Sequence, residues 1–322
     1  MRVYDLAGLP ERLRPQLAAF NPSDGDPPQD FAFIRRLQGM GVPASDYWAC
    51  YAVEDDQILS RVETLHLPFT GRRGPQTVVG IADVLTRPAG VGRGYARKLL
   101  GEVHRREVVQ GRTWSFLWTH RTWGAHRLYE TLGYMDVYSP EYGVRPRGRL
   151  APRTLPPGYR WSEVDAPEVE LLDRLHSESS QDRLGFLPRV PGHARIRIEL
   201  GWRKRENYRI LSGRAGPVGY AYLADESGWN LTANEVVITS RAEAPTILRA
   251  LLREARGRML TLQTTSFVRD HEALLRDEGF ALYPSSHVVL MGKALGAGRG
   301  RAEDLGKCCS APEFSCHRGD MF

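Results

Sequence analysis

Cysteine, lysine and long apolar runs are all scarce in this chain of 322 residues. The four cysteines are Cys50, Cys308, Cys309 and Cys316. Three of them crowd one end of the chain, which is not the spacing of a secreted disulfide framework. Cys308, Cys309, Cys316 and His317 also lack the spacing of a zinc site. No metal is therefore expected, and residues 296–322 read as a disordered tail. No stretch approaches the eighteen or so uncharged residues of a membrane span. No signal-peptide pattern opens the sequence, so a cytoplasmic protein without a membrane partner is expected.

Lysine occurs only at Lys98, Lys204, Lys293 and Lys307, so the formal charge of +6 is carried by arginine. A basic surface suits a polyanion, either nucleic acid or an anionic cofactor. No nucleic-acid-binding motif accompanies the charge, so a nucleic-acid partner is not expected. Hydrophobic residues at 42% and charged residues at 25% are ordinary for a globular protein.

The length favours two domains. Pro146, Pro152, Pro156 and Pro157 mark a linker. The resulting division is 1–150, 155–295 and the tail. The first part alternates strand-like runs with helical patterns, including helices over 11–20, 29–40, 94–110 and 123–132. The second part follows a similar order. The stretch Leu274–Phe280 echoes Leu128–Tyr134, each a helix end, then a glycine, then an aromatic strand. This reads as a tandem duplication.

The most informative stretch is VLTRPAGVGRGYARKLL, Val84–Leu100. A strand ends near Thr86, glycines follow at 90, 92 and 94, and a helix begins. Glycines let the backbone approach a ligand closely. A helix start offers unpaired N–H groups and partial positive charge. Together they form an anion site suited to phosphate, with Arg93 and Arg97 able to add charge-assisted bonds. A plain structural turn is the alternative. The spacing is not that of a Rossmann fingerprint.

The stretch resembles the pyrophosphate-binding signature of the GNAT superfamily of N-acetyltransferases, Gln/Arg-x-x-Gly-x-Gly/Ala. The pattern falls on Val91, Gly92, Arg93, Gly94, Tyr95 and Ala96, with Val91 departing from the family's Gln or Arg. A second family element, A-x-x-L-Y-E-x-L-G-[FY], appears as Ala125, Leu128, Tyr129, Glu130, Leu132, Gly133 and Tyr134. The resemblance implies two tandem GNAT-like α/β (α+β) domains, each with a mixed, mostly antiparallel sheet flanked by helices. It implies acetyl-CoA as co-substrate and a small-molecule or protein amine as acceptor. Val84, Leu85 and Thr86 would pair with the pantetheine arm, and Tyr129 would protonate the departing thiolate. A core tyrosine is the plainer reading of Tyr129 taken alone.

Asp83 and Glu63, on adjacent predicted strands, are base candidates, as is His120. Each could equally be a structural or surface residue, and a water relay could replace any of them. Trp114, Trp118, Trp123, Tyr47 and Trp48 could line an acceptor pocket by cation–π contact. Strand alternation makes core packing the stronger expectation for Trp114 and Trp118. The second half has SRAEAP where the first has its glycine turn, so it reads as a degenerate domain that shapes the acceptor cleft. The expected function is acyl-CoA-dependent N-acyltransfer. A non-catalytic acyl-CoA-binding sensor is the alternative.

Overall fold

The computed structural model of the chain describes residues 1–20, 39, 47–148, 154–186, 189, 191–225, 227–296 and 299–316. The helix expected over 29–40 lies almost wholly outside them. In chain order the strands and helices are β1 (Arg2–Asp5), β2 (Tyr47–Glu54), β3 (Gln57–Gly71), β4 (Gly74–Thr86), α1 (Tyr95–Val109), β5 (Trp114–His120), α2 (Gly124–Thr131) and β6 (Met135–Tyr138). They continue with β7 (Glu141–Arg145), β8 (Arg160–Glu163), α3 (Val169–Ser179), β9 (Leu184–Gly185), α4 (His193–Glu199), β10 (Tyr208–Gly213), β11 (Gly216–Asp225) and β12 (Asn230–Ile238). The last are α5 (Ala244–Ala255), β13 (Met259–Leu262), α6 (Thr265–Asp270), α7 (Glu272–Asp277), β14 (Ala281–Pro284), β15 (Val288–Ala294), α8 (Arg299–Cys309) and β16 (Phe314–Ser315). The pattern expected over Glu11–Phe20 is a 3-10 helix with Pro15 inside it.

The chain divides into two compact units. The first holds residues 1–138 and 287–312. Its sheet runs β1-β2-β3-β4-β5-β15-β6. Neighbours are antiparallel except β4 and β5, which are parallel. The hairpin β2–β3 turns at Asp55 and Asp56, both at positive φ, the backbone a tight two-residue hairpin requires. On α1, Leu99, Leu100, Val103, His104 and Glu107 are buried along one stripe. Leu99, Leu100 and Val103 join Val62, Val79, Ile81, Leu117 and Met291 in one core.

The second unit holds residues 139–286 and 313–320. Its sheet runs β14-β7-β13-β12-β11-β10-β8, with β12 and β13 the parallel pair. Helix α5 lays Ile247, Leu248, Leu251 and Leu252 into its core. The two short helices α6 and α7 meet at His271.

The two contiguous halves read from the sequence, 1–150 and 155–295, are corrected at one strand each. β7, before the proline-rich segment, pairs with β13 and β14 of the second sheet. β15, near the end of the second half, pairs with β5 and β6 of the first. Each strand slots into the gap that the other sheet leaves between its parallel strand and its last strand. The disordered tail is also corrected. Residues 299–309 form α8, and Leu305, Cys308 and Cys309 are buried. Leu305 and the β15 backbone at Gly292 lie so close that a Cβ there would sit 3.2 Å from a Leu305 methyl. Arg73 holds Asp304 at 2.7 Å, and the Trp114 Nε1–H donates to the Arg301 carbonyl at 3.2 Å.

Candidate active site

The parallel pair β4–β5 is joined at Val79–Ser115 and Gly80–Phe116. β4 continues six residues further to Thr86, and β5 continues to His120. Among the described residues no ladder pair joins them beyond Gly80, so the two strands splay. On its other edge β4 stays paired with β3, at Leu85–Arg61 and Thr86–Ser60. The Ser60 hydroxyl secures this end, donating to the Leu85 carbonyl at 2.8 Å and lying 2.9 Å from the Thr86 Oγ1. The backbone of Val84, Leu85 and Thr86 therefore has one edge in the sheet and the other toward the splay.

A bulge sits at the same place. Arg61 faces Leu85 and Glu63 faces Ala82, so β4 has one residue more than β3 across this step. Asp83 takes up the difference, with φ of 41°. The twist brings Asp83 to Arg61, whose guanidinium hydrogen-bonds Asp83 Oδ2 and forms an ion pair with Glu63 Oε1, each at 3.0 Å. Arg61 and Glu63, two apart on β3, lie on one face and are buried, whereas Asp83 is partly exposed. The two base candidates are thus brought together, as counter-ions of a third residue. Arg61 gave no signal in the sequence, being one arginine among many in a strand pattern.

After Thr86 a short 3-10 turn, Pro88–Gly90, leads to Gly92 and Gly94. Both glycines are left-handed, at φ 78° and 77°, a conformation that side chains resist. A Cβ built at either would meet nothing within 4 Å, so the space beside them is open. Gly94 is the N-cap of α1 and supplies no side-chain cap. The first intrahelical bond there runs from the Lys98 N–H to the Gly94 carbonyl. The amides of Tyr95, Ala96 and Arg97 are those a helix start leaves without intrahelical partners. An uncapped helix N-terminus beside open space can hold a phosphate. Val91, Arg93 and Arg97 are exposed at this turn and Tyr95 is buried. Arg93 bonds Glu54, and the Tyr95 hydroxyl donates to the same carboxylate at 2.7 Å. That hydroxyl, with the Arg93 guanidinium, holds the Glu54 carboxyl below its usual range. Arg97 donates to the Thr131 hydroxyl at 2.8 Å.

Tyr129 lies on α2, buried against Tyr134 with ring centroids 5.9 Å apart. Burial pushes its phenol up to about 12, so it is protonated throughout the neutral range. Among the described residues nothing hydrogen-bonds its hydroxyl. Tyr134, by contrast, is embedded in a chain of polar groups. Its oxygen lies 2.7 Å from Ser115 Oγ and 2.9 Å from His104 Nε2, and His104 Nδ1 lies 3.1 Å from Lys293 Nζ. Burial first, and Lys293 second, push His104 down to about 3. A charged lysine can only donate, so His104 accepts at Nδ1 and donates from Nε2 to Tyr134.

His120, at the end of β5, stacks between two rings, Trp123 at 5.4 Å and His287 at 5.0 Å. Its Nδ1 lies 2.8 Å from the Thr122 hydroxyl. Trp114 and Phe116 pack around Phe69 in the core, and Trp118 packs on Tyr138. Trp48 bonds the buried Glu107 at 2.9 Å. Of the tryptophans weighed as an acceptor surface, Trp123 is the exposed one, at 61%. Among the described residues no group of three or more His, Cys, Asp or Glu is placed to hold a metal. No helix among them is long and apolar enough to cross a membrane.

The second unit repeats the splay without the turn. β12 pairs with β13 only over Asn230–Ala233. Before α5, Ser240 caps the 3-10 turn Arg241–Glu243 by accepting from the Ala242 amide, and Pro245 stands in the first turn of the helix, where it has no N–H to offer. The position that echoes Tyr129 is Leu275, fully buried.

The fold is shared with solved structures. The chain is similar to a probable N-acyltransferase from Enterococcus faecalis V583, with a TM-score of 0.65 and 13% identity, over 91% of this chain and 72% of that one. It is similar to a GCN5-related N-acetyltransferase from Anabaena variabilis ATCC 29413, with a TM-score of 0.66 and 17% identity, over 92% and 73%. The fold is that of the GCN5-related N-acetyltransferases. The chain is also similar to a GCN5-related N-acetyltransferase from Kribbella flavida, with a TM-score of 0.56 and 17% identity, over 90% and 70%. These likenesses extend over both units. No protein-family model matches the chain, and no curated protein is similar to it in sequence.

Proposed function

We propose that the chain is an acyl-CoA-dependent N-acyltransferase that moves acetyl from acetyl-CoA to an amine, with its site in the first unit. The observation that carries this reading is the conjunction of two features at one end of β4. One is the strand edge left by the splay. The other is the open, uncapped start of α1 at Gly92 and Gly94. A nucleotide thioester with a long amide-bearing arm fits both, whereas a bare phosphate would need only the second.

The residues present fit the co-substrate. The amides of Gly94 to Arg97 would hold the pyrophosphate, with Arg93 and Arg97 free to swing from Glu54 and Thr131 toward it. The backbone of Val84, Leu85 and Thr86 would pair with the arm. Bound acetyl-CoA supplies the activated acyl group and a sulfur leaving group. Tyr129, neutral and with no hydrogen bond to its hydroxyl among the described residues, would donate a hydrogen bond to that sulfur. At about 12 its phenol is a weaker acid than an ordinary thiol, so it stabilises the thiolate best by sharing its proton.

Asp83 and Glu63 serve this reading as positioned charges. Protonating either would strip the buried Arg61 of a counter-ion, a costly event. Of the two, Asp83 alone is exposed enough to touch an acceptor. The acceptor ammonium can lose its proton to water. A small-molecule or protein amine as acceptor, and a cytoplasmic location, remain part of the proposal. The test is a thiol-release assay with purified full-length protein, acetyl-CoA and a panel of amine classes. Acetyl-CoA binding without thiol release for any amine would leave a binding protein in place of an enzyme.

A further inference from the structure

The splay in the second unit opens on a cleft that acyl transfer in the first unit does not use. β12 runs on to Ile238 after its pairing with β13 ends at Ala233. Beside Val236, Val237 and Ile238 lies a small, partly open space. Its polar lining includes Arg183, Ser266, Asp270, His271 and Ser315, together with Ser179 and Ser180, whose hydroxyls donate to the His176 carbonyl.

The hydrogen-bonding groups there are unevenly matched. Arg183 bonds the Asp270 carboxylate through Nη2 and the Ser179 carbonyl through Nε at 3.4 Å. A guanidinium has five N–H donors, so several remain. The Ser315 hydroxyl is buried and has no partner among the described residues. The His271 ring packs on Phe267 at 4.8 Å, and no hydrogen bond to it occurs among the described residues. Three donors thus converge on one space, while its main acceptor, Asp270, is already taken. Asp270 answers the charge of Arg183, and Arg241 adds a further positive charge near His271. With two guanidiniums against one carboxylate, the surroundings suit a single further negative charge. The walls formed by the β12 valines and Phe267 are apolar.

We propose that this cleft binds a small monocarboxylate, its carboxylate on Arg183, His271 and Ser315 and its apolar body along β12. The proposal does not depend on acyl transfer in the first unit.

Histidine-selective NMR of the full-length protein tests it, with sodium butyrate as probe and sodium chloride at matched ionic strength as control. Inorganic phosphate and an N-acetylated tripeptide are the comparison probes. The His271 signal is identified by its absence in His271→Gln. Butyrate is expected to move that signal saturably in the millimolar range and to raise its protonation midpoint, while chloride does not. Ser315→Ala removes one hydroxyl and leaves the Arg183–Asp270 pair intact. It should weaken butyrate about fivefold, the equivalent of one ordinary hydrogen bond. A tripeptide that binds more tightly than butyrate would identify the carboxylate as a peptide terminus, and one that binds less tightly as a free acid. The proposal is overturned if chloride moves the signal equally, or if phosphate binds better than butyrate. It is equally overturned if Ser315→Ala, folded by its amide spectrum, binds butyrate as the wild type does.

Discussion

Replacing Gly94 by aspartate puts a carboxylate where the proposed site needs an anion. The residue stands at φ 77° with nothing within 4 Å of its would-be Cβ. The substitution therefore creates no clash, and its structural cost is the left-handed backbone, about 1 kcal/mol. In a chain of this size that lowers Tm by roughly 2–4 °C. The effect on binding is larger. Two unit charges about 4 Å apart interact by about 4 kcal/mol at an effective dielectric of about 20. Gly94 is exposed, so screening cuts this to about 1–2 kcal/mol, or roughly 5- to 30-fold in Kd. Gly94→Asn has the same bulk and backbone strain without the charge, and the difference between the two variants isolates the electrostatic part. Calorimetry with acetyl-CoA on full-length protein, at two salt concentrations, measures both. A folded Gly94→Asp protein that binds acetyl-CoA with wild-type affinity would refute the assignment of the phosphate site.

Tyr129→Phe should lower kcat at least about 10-fold and leave acetyl-CoA affinity nearly unchanged, as steady-state kinetics and calorimetry together would show. A wild-type kcat would mean that water protonates the thiolate. His104, held near 3 in the fold against about 6.5 unfolded, binds its proton more readily in the unfolded chain. Stability should therefore fall as pH drops from about 6.5 toward 3, and denaturant titrations of His104→Gln should show a shallower fall over that window. Ending the chain at Ala294 removes the buried Leu295, Leu305, Cys308 and Cys309, and should cost several kcal/mol, seen as a Tm lower by about 10 °C or more. An unchanged Tm would mean that α8 does not dock.

Whatever depended on local rules could be read from the sequence. The glycines at 92 and 94 were legible because a positive φ and a close ligand approach favour one residue type. Tyr129 stood out only through the A-x-x-L-Y-E-x-L-G-[FY] element, since helical spacing by itself favours a core tyrosine. The exchange of β7 and β15 was not, because a five- to seven-residue strand carries no mark of which sheet it will join. That choice is made by long-range pairing, Thr261 with Val144 and Met291 with Leu117. The helix at 299–309 did leave a trace, since Leu305, Cys308 and Cys309 recur at helical spacing. The glycines and charges around them obscured it. Arg61 left none, because nothing local distinguishes a buried ion-paired arginine from a solvated one.

The two base candidates show how position alone misleads. Glu63 and Asp83 fall on adjacent strands at the splay, where a base is wanted. The bulge that delivers Asp83 to the site also delivers it to Arg61, which already holds Glu63. A buried guanidinium between two carboxylates keeps the bulge in shape, because either acid leaving would strand a charge. The bulge, in turn, sits within the stretch of β4 whose far edge is turned toward the splay. On this account the acidic pair acts on the proposed chemistry by holding the strand edge that would receive the co-substrate. Substituting Arg61 should then disturb acetyl-CoA binding before it disturbs the pH dependence of turnover.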